Sequence, residues 1–318
     1  MSWDPRRIPS QTGKVFAITG GNGGLGFFTA FQLAEAGASI ILACRNRERA
    51  DAAAAAIRRR LPAADVSVVI LDVSSLESVR RAGAELGALP RLDGLIENAG
   101  LVHFPRERSE TEDGFELVLA TNFLGHFALV EHVLPALERT PGSRIVTLGS
   151  LATEITGLHL DDLQLTKKYS GWQAYGQSKI LMSVFGYELD RRLGLAGSGV
   201  RALVAHPGYA ITGRSPIVPG VSEPSFGQRF ADNLQGLWAQ GKDRGAWPIV
   251  RAAADPEAFD YSSRATDVAP APVFYGPRFR VKGAPIHAKP ADSTTGPYVG
   301  RAVWTEARAL TGADYLDV

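Results

Sequence analysis

Cysteine is almost missing from this chain of 318 residues: Cys44 is the single one. One thiol excludes an internal disulfide framework and any cysteine-rich zinc or iron–sulfur site, and it fits a reducing compartment. Charge of one sign is also missing. A formal net charge of +1 carries no polyelectrolyte signature, so neither nucleic acid nor an anionic membrane is expected as the main partner. The six histidines show no His-x-x-x-His spacing, and no metal is expected. Long apolar runs are absent too: the longest are strand-sized and broken by glycine or charge, so nothing reads as bilayer-spanning. Residues 1–12 read as an N-terminal extension that fits neither a signal peptide nor a membrane anchor, and a cytoplasmic location is expected. What is present is 45% hydrophobic residues and 34 glycines, on a length that allows one large or two ordinary domains with a substantial core. Small-molecule chemistry is the default for such a chain.

The first half alternates short β-rich runs with helical stretches. Val15–Thr19, Ser39–Ala43, Val66–Leu71, Leu92–Glu97, Arg144–Leu148 and Val200–Ala205 read as strands. Helices are expected at about 24–36, 46–60, 74–87, 113–138 and 172–194, the third opening on a capping box from Ser74 to Glu77. Near-continuous apolar strands separated by helices predict an α/β fold, a doubly wound parallel sheet covered on both faces. After His206 the pattern changes. Prolines punctuate a loop, helical pieces carry Phe226, Phe230, Trp238 and Trp247, a Pro/Gly-rich stretch runs to about 297, and a last helix is expected near 300–311. No linker marks a second domain. Residues 1–318 read as a single Rossmann-type domain, with 209–318 forming a substrate-side lid and C-terminal region.

The first strand runs into Thr19-Gly20-Gly21-Asn22-Gly23-Gly24-Leu25-Gly26 and then an apolar helix. Glycines there permit a tight turn, close backbone approach to a pyrophosphate and close helix–strand packing, while the helix N-terminus offers free N–H groups. A ligand-free turn and an S-adenosylmethionine site stay open at this point. The second strand ends Ala43-Cys44-Arg45, with no carboxylate to bind ribose hydroxyls. Arg45 offers a charge-assisted fork to a 2′-phosphate, which favours NADP(H) over NAD(H). The competing reading is that Arg45, Arg47 and Arg49 are a solvated helix start.

Tyr175 and Lys179 are four residues apart on one helix and so share a face. At roughly 5 Å and an effective dielectric of about 20, their attraction is on the order of 3 kcal/mol, enough to lower a phenol by about two pKa units. Alone, such a pair is commonplace on surface helices. The order of the whole set is not: the glycine turn, Asp72 after the third strand, Asn98-Ala99-Gly100 after the fourth, Asn122 in a helix, Ser150 after the fifth, Tyr175 and Lys179, and Pro207-Gly208 after the sixth.

This ordered set resembles the short-chain dehydrogenase/reductase family, strongly over about residues 12–212. Leu42-Ala43-Cys44-Arg45-Asn46, Thr121-Asn122-Phe123-Leu124-Gly125-His126-Phe127 and Ala205-His206-Pro207-Gly208 are similar to its retinol-dehydrogenase-like bacterial branch. The resemblance implies that Tyr175 is the acid in carbonyl reduction and the base in alcohol oxidation. Lys179 would hold the nicotinamide ribose, Ser150 would bond the reacting oxygen, and Asn122 would bend its helix to hold a relay water. Asp72 and Val73 would flank the adenine, Asn98 would support the central strand, and Pro207-Gly208 would touch the nicotinamide side. It also suggests homodimers or homotetramers through the helices at 113–138 and 172–194. The 25-residue spacing from Ser150 to Tyr175 implies an insertion at 153–171 that forms a lip on the substrate side.

Two positions depart from the family pattern, Glu97 for an asparagine and Gly149 for a serine. The related light-dependent protochlorophyllide reductases share a loop like Ile211-Thr212-Gly213, but their nearby cysteine has no counterpart here. His103 and His206 are expected to make turn hydrogen bonds, His126 to be a satisfied core residue, and Asp161 and Asp162 to be solvated. Phe226, Trp238 and Trp247 read as a lid over a bulky substrate or as ordinary core. The expected function is interconversion of a small-molecule carbonyl compound and an alcohol with NADP(H), NAD(H) being possible. A non-catalytic dinucleotide sensor and a methyltransferase are the rivals.

Overall fold

A computed structural model describes residues 3–102, 105–258 and 273–318. Six strands and their crossovers follow in the expected order: β1 (Val15–Thr19), α1 (Gly24–Glu35), β2 (Ser39–Cys44), α2 (Arg47–Arg60), β3 (Val66–Ile70), α3 (Leu76–Gly87) and β4 (Gly94–Glu97). Then come the three-residue turn α4 (Leu117–Leu119), a π-helical segment at Ala120–Leu124, α5 (Gly125–Glu138), β5 (Arg144–Leu148), α6 (Gly171–Leu195) and β6 (Arg201–Ala205). Their pairings are parallel and in the order β3-β2-β1-β4-β5-β6. The order reverses between β1 and β4, which opens a crevice at the carboxyl ends of the strands. Alternate side chains point to opposite faces, so one core lies under α1 and α2 and the other under α3, α5 and α6.

The start of α3 differs from the capping-box expectation. Ser75, not Ser74, is the cap, accepting the Ser78 N–H at 3.3 Å, because the Ser74 hydroxyl is spent on Asp72 at 2.6 Å. Glu77 pairs with Arg80 instead of reaching back. The segment Leu117–Glu138 is long and apolar enough to cross a bilayer, yet 78% of its most apolar window is buried within the fold. That burial marks it as a core helix.

Residues after 209 do not act as one unit. A short parallel pair, β7 (Ala210–Ile211) and β8 (Gln240–Gly241), brackets α7 (Phe226–Asn233) at the crevice. Next, α8 (Lys242–Gly245) and α9 (Trp247–Ala254) return to the body, where α9 joins α1 and α2 over one core. The strands β9 (Phe274–Pro277) and β10 (Pro285–His287) extend the main sheet, β9 parallel to β6 and β10 antiparallel to β9, to give eight strands. Last, α10 (Pro297–Thr311) packs on α6.

The C-terminal tail covers the helices expected to pair subunits. The Tyr315 hydroxyl donates to the Phe127 carbonyl at 2.9 Å, and the Asp314 N–H donates to Glu131 at 2.8 Å. Trp304 sits edge-on to Phe127 and Tyr315 at 5.0 Å each, with the Arg192 guanidinium 4.5 Å from a Trp304 ring centre. Between the sheet and this tail most apolar residues of α5 and α6 are buried, Trp172 and Leu195 being exposed. The chain's own end thus covers part of the helices through which the resemblance implies pairing.

Candidate active site

The glycine turn folds as its chemistry requires. Gly24 has φ +55°, a left-handed conformation that disfavours a side chain. At Gly26 a Cβ would lie 2.5 Å from both the Gly20 carbonyl oxygen and Asn98 Nδ2, so only glycine lets α1 approach this closely. Asn98 Nδ2 donates to the Thr19 carbonyl at 2.8 Å and to that of Gly20 at 3.3 Å, and the Ala99 N–H donates to Thr19 Oγ1 at 2.9 Å. Thus the loops after β1 and β4 are fastened together beside the switch point. Gly100 packs near the Asn122 side chain, Leu25 stays half-buried, and Asn22 lies in the turn.

Cys44 does not present its thiol at the strand end. It is buried, its sulfur accepts the Gly21 and Asn22 N–H groups, and burial pushes the thiol up to about 11. Arg45, Arg47 and Arg49 are all exposed; Arg47 pairs with Asp51 at 2.9 Å, whereas Arg45 and Arg49 make no ion pair among the described residues. Across the crevice, Asp72 Oδ1 accepts the Ser74 N–H at 2.9 Å, and Val73 is buried with its carbonyl against Gly125.

Ser150, Tyr175 and Lys179 come together. Tyr175 Oη donates to Ser150 Oγ at 3.2 Å, and Lys179 Nζ donates to the Leu148 carbonyl at 3.1 Å. Burial lowers Lys179 to about 8. The expected lowering of the phenol is corrected: burial raises Tyr175 above its usual value, and the Ser150 hydrogen bond opposes that rise without cancelling it. Desolvation sets the direction of the shift, so the resting phenol holds its proton at neutral pH.

Asn122 lies in the π-helical segment and is fully buried. Its Oδ1 accepts the Leu101 N–H at 2.7 Å, while Nδ2 donates to the Leu101 carbonyl at 3.1 Å and to Ser178 Oγ at 2.9 Å. Ser178 in turn donates to the Tyr175 carbonyl at 2.7 Å. The amide therefore joins the loop after β4 to the second turn of the tyrosine helix.

Other expectations divide. His206 Nδ1 accepts the Gly208 N–H at 3.2 Å, the turn bond foreseen, while Gly208 has φ +68° and Pro207 is half-buried. His103 lies outside the described residues. His126 is buried with Nε2 3.0 Å from Thr19 Oγ1, and burial lowers the ring to about 3, a backbone bond to Asn122 opposing. Asp161 is exposed and paired to Lys167 at 2.7 Å, while Asp162 is half-buried and accepts the Thr166 N–H at 2.8 Å. Glu97 is the sharpest departure. Neither carboxyl oxygen has a partner among the described residues, and burial raises it well above its usual value, so it is neutral.

Sequence reasoning missed Lys242. A Cβ on Gly24 would lie 3.4 Å from Lys242 Nζ, which sets an ammonium over the glycine turn. Burial lowers its pKa, Asp232 opposing, and the ammonium has no hydrogen-bond or ion-pair partner among the described residues. A half-buried cation beside free N–H groups at the start of α1 suits a pyrophosphate. No motif could reveal it, since only the fold brings residues 24 and 242 together. A cavity of about 470 Å³ behind α1, lined by Ile8, Phe27, Phe31, Arg60 and Trp247, includes none of these candidate site residues.

The short-chain dehydrogenase family model matches residues 14–216. Human retinol dehydrogenase 13 is 36% identical over 306 residues, covering 95% of this chain and 86% of that protein, and mouse polyprenol dehydrogenase is 33% identical, covering 97% and 87%. A solved protein of Mycobacterium paratuberculosis aligns with a TM-score of 0.76 at 34% identity over 99% of both chains. The Pseudomonas aeruginosa RhlG/NADP complex aligns at 0.57 and 26% identity, covering 79% and 93%. A family model over most of the chain, and relatives of this identity along nearly all of it, place the chain in the short-chain dehydrogenase family, as an NAD(P)-dependent oxidoreductase acting on CH–OH groups.

Proposed function

We propose that the protein reduces a small-molecule carbonyl compound to an alcohol with NADPH, Tyr175 supplying the proton. The observation that carries this reading is the Tyr175–Ser150 hydrogen bond at 3.2 Å, between a phenol that keeps its proton and a hydroxyl beside it. A reacting carbonyl oxygen at this pair would take one hydrogen bond from Ser150 Oγ and the proton from Tyr175 Oη as negative charge develops. Lys179, in the buried ammonium form at neutral pH, favours that charge electrostatically. Asn122 positions Tyr175 through Ser178.

The residues present fit a dinucleotide: the Gly24–Gly26 turn admits a phosphate backbone, and Lys242 is an unmatched cation over it. Thr19, Gly20, Asn22, Leu25, Asn98, Ala99 and Gly100 would frame it, Asp72 and Val73 the adenine, Arg45 the 2′-phosphate, and Pro207-Gly208 the nicotinamide side. A bound nicotinamide supplies hydride to the carbonyl carbon. The exposed, unpaired Arg45 and the missing carboxylate at the end of β2 support NADP(H) over NAD(H). A cytoplasmic location belongs to this reading, and the tail packed on α5 supports a monomer.

The test is Tyr175→Phe with a panel of aldehydes and ketones. Turnover should fall by about 10²–10⁴, while NADPH still quenches tryptophan fluorescence with nearly unchanged affinity. Retained turnover would remove Tyr175 from the chemistry.

A further inference from the structure

The helix α7 is amphipathic in the reverse sense for a packed element. Its polar side chains face the fold: Asp232 accepts the Gly213 N–H at 2.7 Å, and Arg229 donates to the Ser215 carbonyl at 3.3 Å. Its apolar side chains face out. Phe226 is 86% exposed, Phe230 61%, and the turns that follow add Leu234 at 69%, Leu237 at 80% and Trp238 at 50%. Scattered apolar side chains on a surface are ordinary, but a run of this size is a binding surface.

The patch continues onto the loop between β9 and β10. There Arg278-Phe279-Arg280-Val281-Lys282 places three cations around a phenyl ring that is 68% exposed. Lys282 Nζ donates to the Gly236 carbonyl at 3.0 Å, and Tyr209 Oη donates to Gln235 at 2.8 Å, so loop and lid form one surface. Of the acids nearby, Asp232 is turned inward, Glu223 accepts the Gly220 N–H at 2.5 Å, and Glu154 offsets Arg280, which leaves the loop a net positive charge from Arg278 and Lys282. On the facing lip, Ile155 is 72% exposed.

An apolar stripe flanked by arginine and lysine complements an anionic lipid surface. A second copy on a twofold axis would bring the same cations toward each other. We propose that the outward face of α7 and its following turns, with the 278–282 loop, docks on anionic phospholipid, so that the mouth of the catalytic cleft opens at the bilayer surface. Net charge alone excludes such a partner; the distribution of charge and apolar area restores it. The docking stands without the assigned chemistry, and only its link to substrate entry rests on that reading.

The experiment is flotation of the full chain with phosphatidylcholine vesicles, with and without phosphatidylglycerol. The protein should float with the anionic vesicles, remain behind with phosphatidylcholine alone, and be released by high salt. A Phe226→Ser, Leu237→Ser double variant should lose apparent affinity by about tenfold or more, and Arg278→Gln with Arg280→Gln should weaken binding to anionic vesicles similarly. Unchanged NADPH binding and thermal midpoint show that each variant is folded. Absence of flotation with anionic vesicles overturns the proposal, as does wild-type flotation of the apolar double variant. A wild-type dimer that this double variant dissociates would assign the face to a second copy and equally overturn it. Turnover of a water-soluble aldehyde without vesicles tests the assigned chemistry separately.

Discussion

Two aromatic-rich stretches beyond the catalytic motifs, 226–238 and 297–315, meet opposite fates. Both are helical at the start and both carry tryptophan. In the second, Trp304 is 2% exposed and Tyr315 8%, enclosed by Phe127 and Phe185; in the first, Trp238 is 50% exposed and Phe226 86%. The difference lies in what each helix meets. Apolar surface on α5 and α6 awaited α10, whereas α7 stands above a crevice that must admit a substrate. Composition alone does not separate a core element from a docking element; the presence of a matching apolar face does.

The widest gap between the two stretches should appear in stability. Trp304→Ala removes a fully packed indole and should cost about 3–5 kcal/mol in urea unfolding, while Trp238→Ala should stay within about 0.5 kcal/mol. Comparable losses would mean that α7 is packed in solution. A smaller effect distinguishes the cofactor groups at the crevice. Lys242→Met should weaken NADPH and NADH alike by about tenfold, the low end for a hydrogen bond to a charged group. Arg45→Ala should weaken NADPH by a similar factor and leave NADH nearly unchanged. Fluorescence titration reads both, and equal loss of the two cofactors in Arg45→Ala would break the 2′-phosphate assignment.

The smallest effect concerns Glu97. Its folded pKa is raised above 4.5, so at neutral pH the folded chain keeps a proton that the unfolded chain releases. Stability from this group therefore falls as pH rises above about 4.5. Glu97→Gln should remove that slope, raising the urea midpoint relative to wild type at pH 7 and less at pH 4. An equal difference at both pH values would show that the folded carboxyl is ionised.

Much of this was legible in the chain itself. Apolar five-residue runs separated by helices specify parallel strands, and glycines at 20, 24 and 26 specify a turn, because both follow from backbone sterics and local burial. The order Ser150, Tyr175, Lys179 likewise named the groups that meet. Legibility stopped where distant segments meet: Ser75 displaced Ser74 as a cap once Asp72 claimed the neighbour's hydroxyl, and Lys242 reached Gly24 only through the return of α8. The sign of the Tyr175 shift failed for the same reason, since a charge pair can be counted from spacing but its desolvation cannot.

By itself, then, the sequence determined the sheet and the glycine turn and named Ser150, Tyr175 and Lys179 as candidate site residues, each set by neighbours within a few residues or by strict strand periodicity. The tertiary structure alone decided that the C-terminal tail packs on α5 and α6, that Lys242 reaches the glycine turn, and that the apolar side of α7 faces outward. Those outcomes depend on which surfaces are already filled when each segment arrives, and burial is a property of the assembled fold.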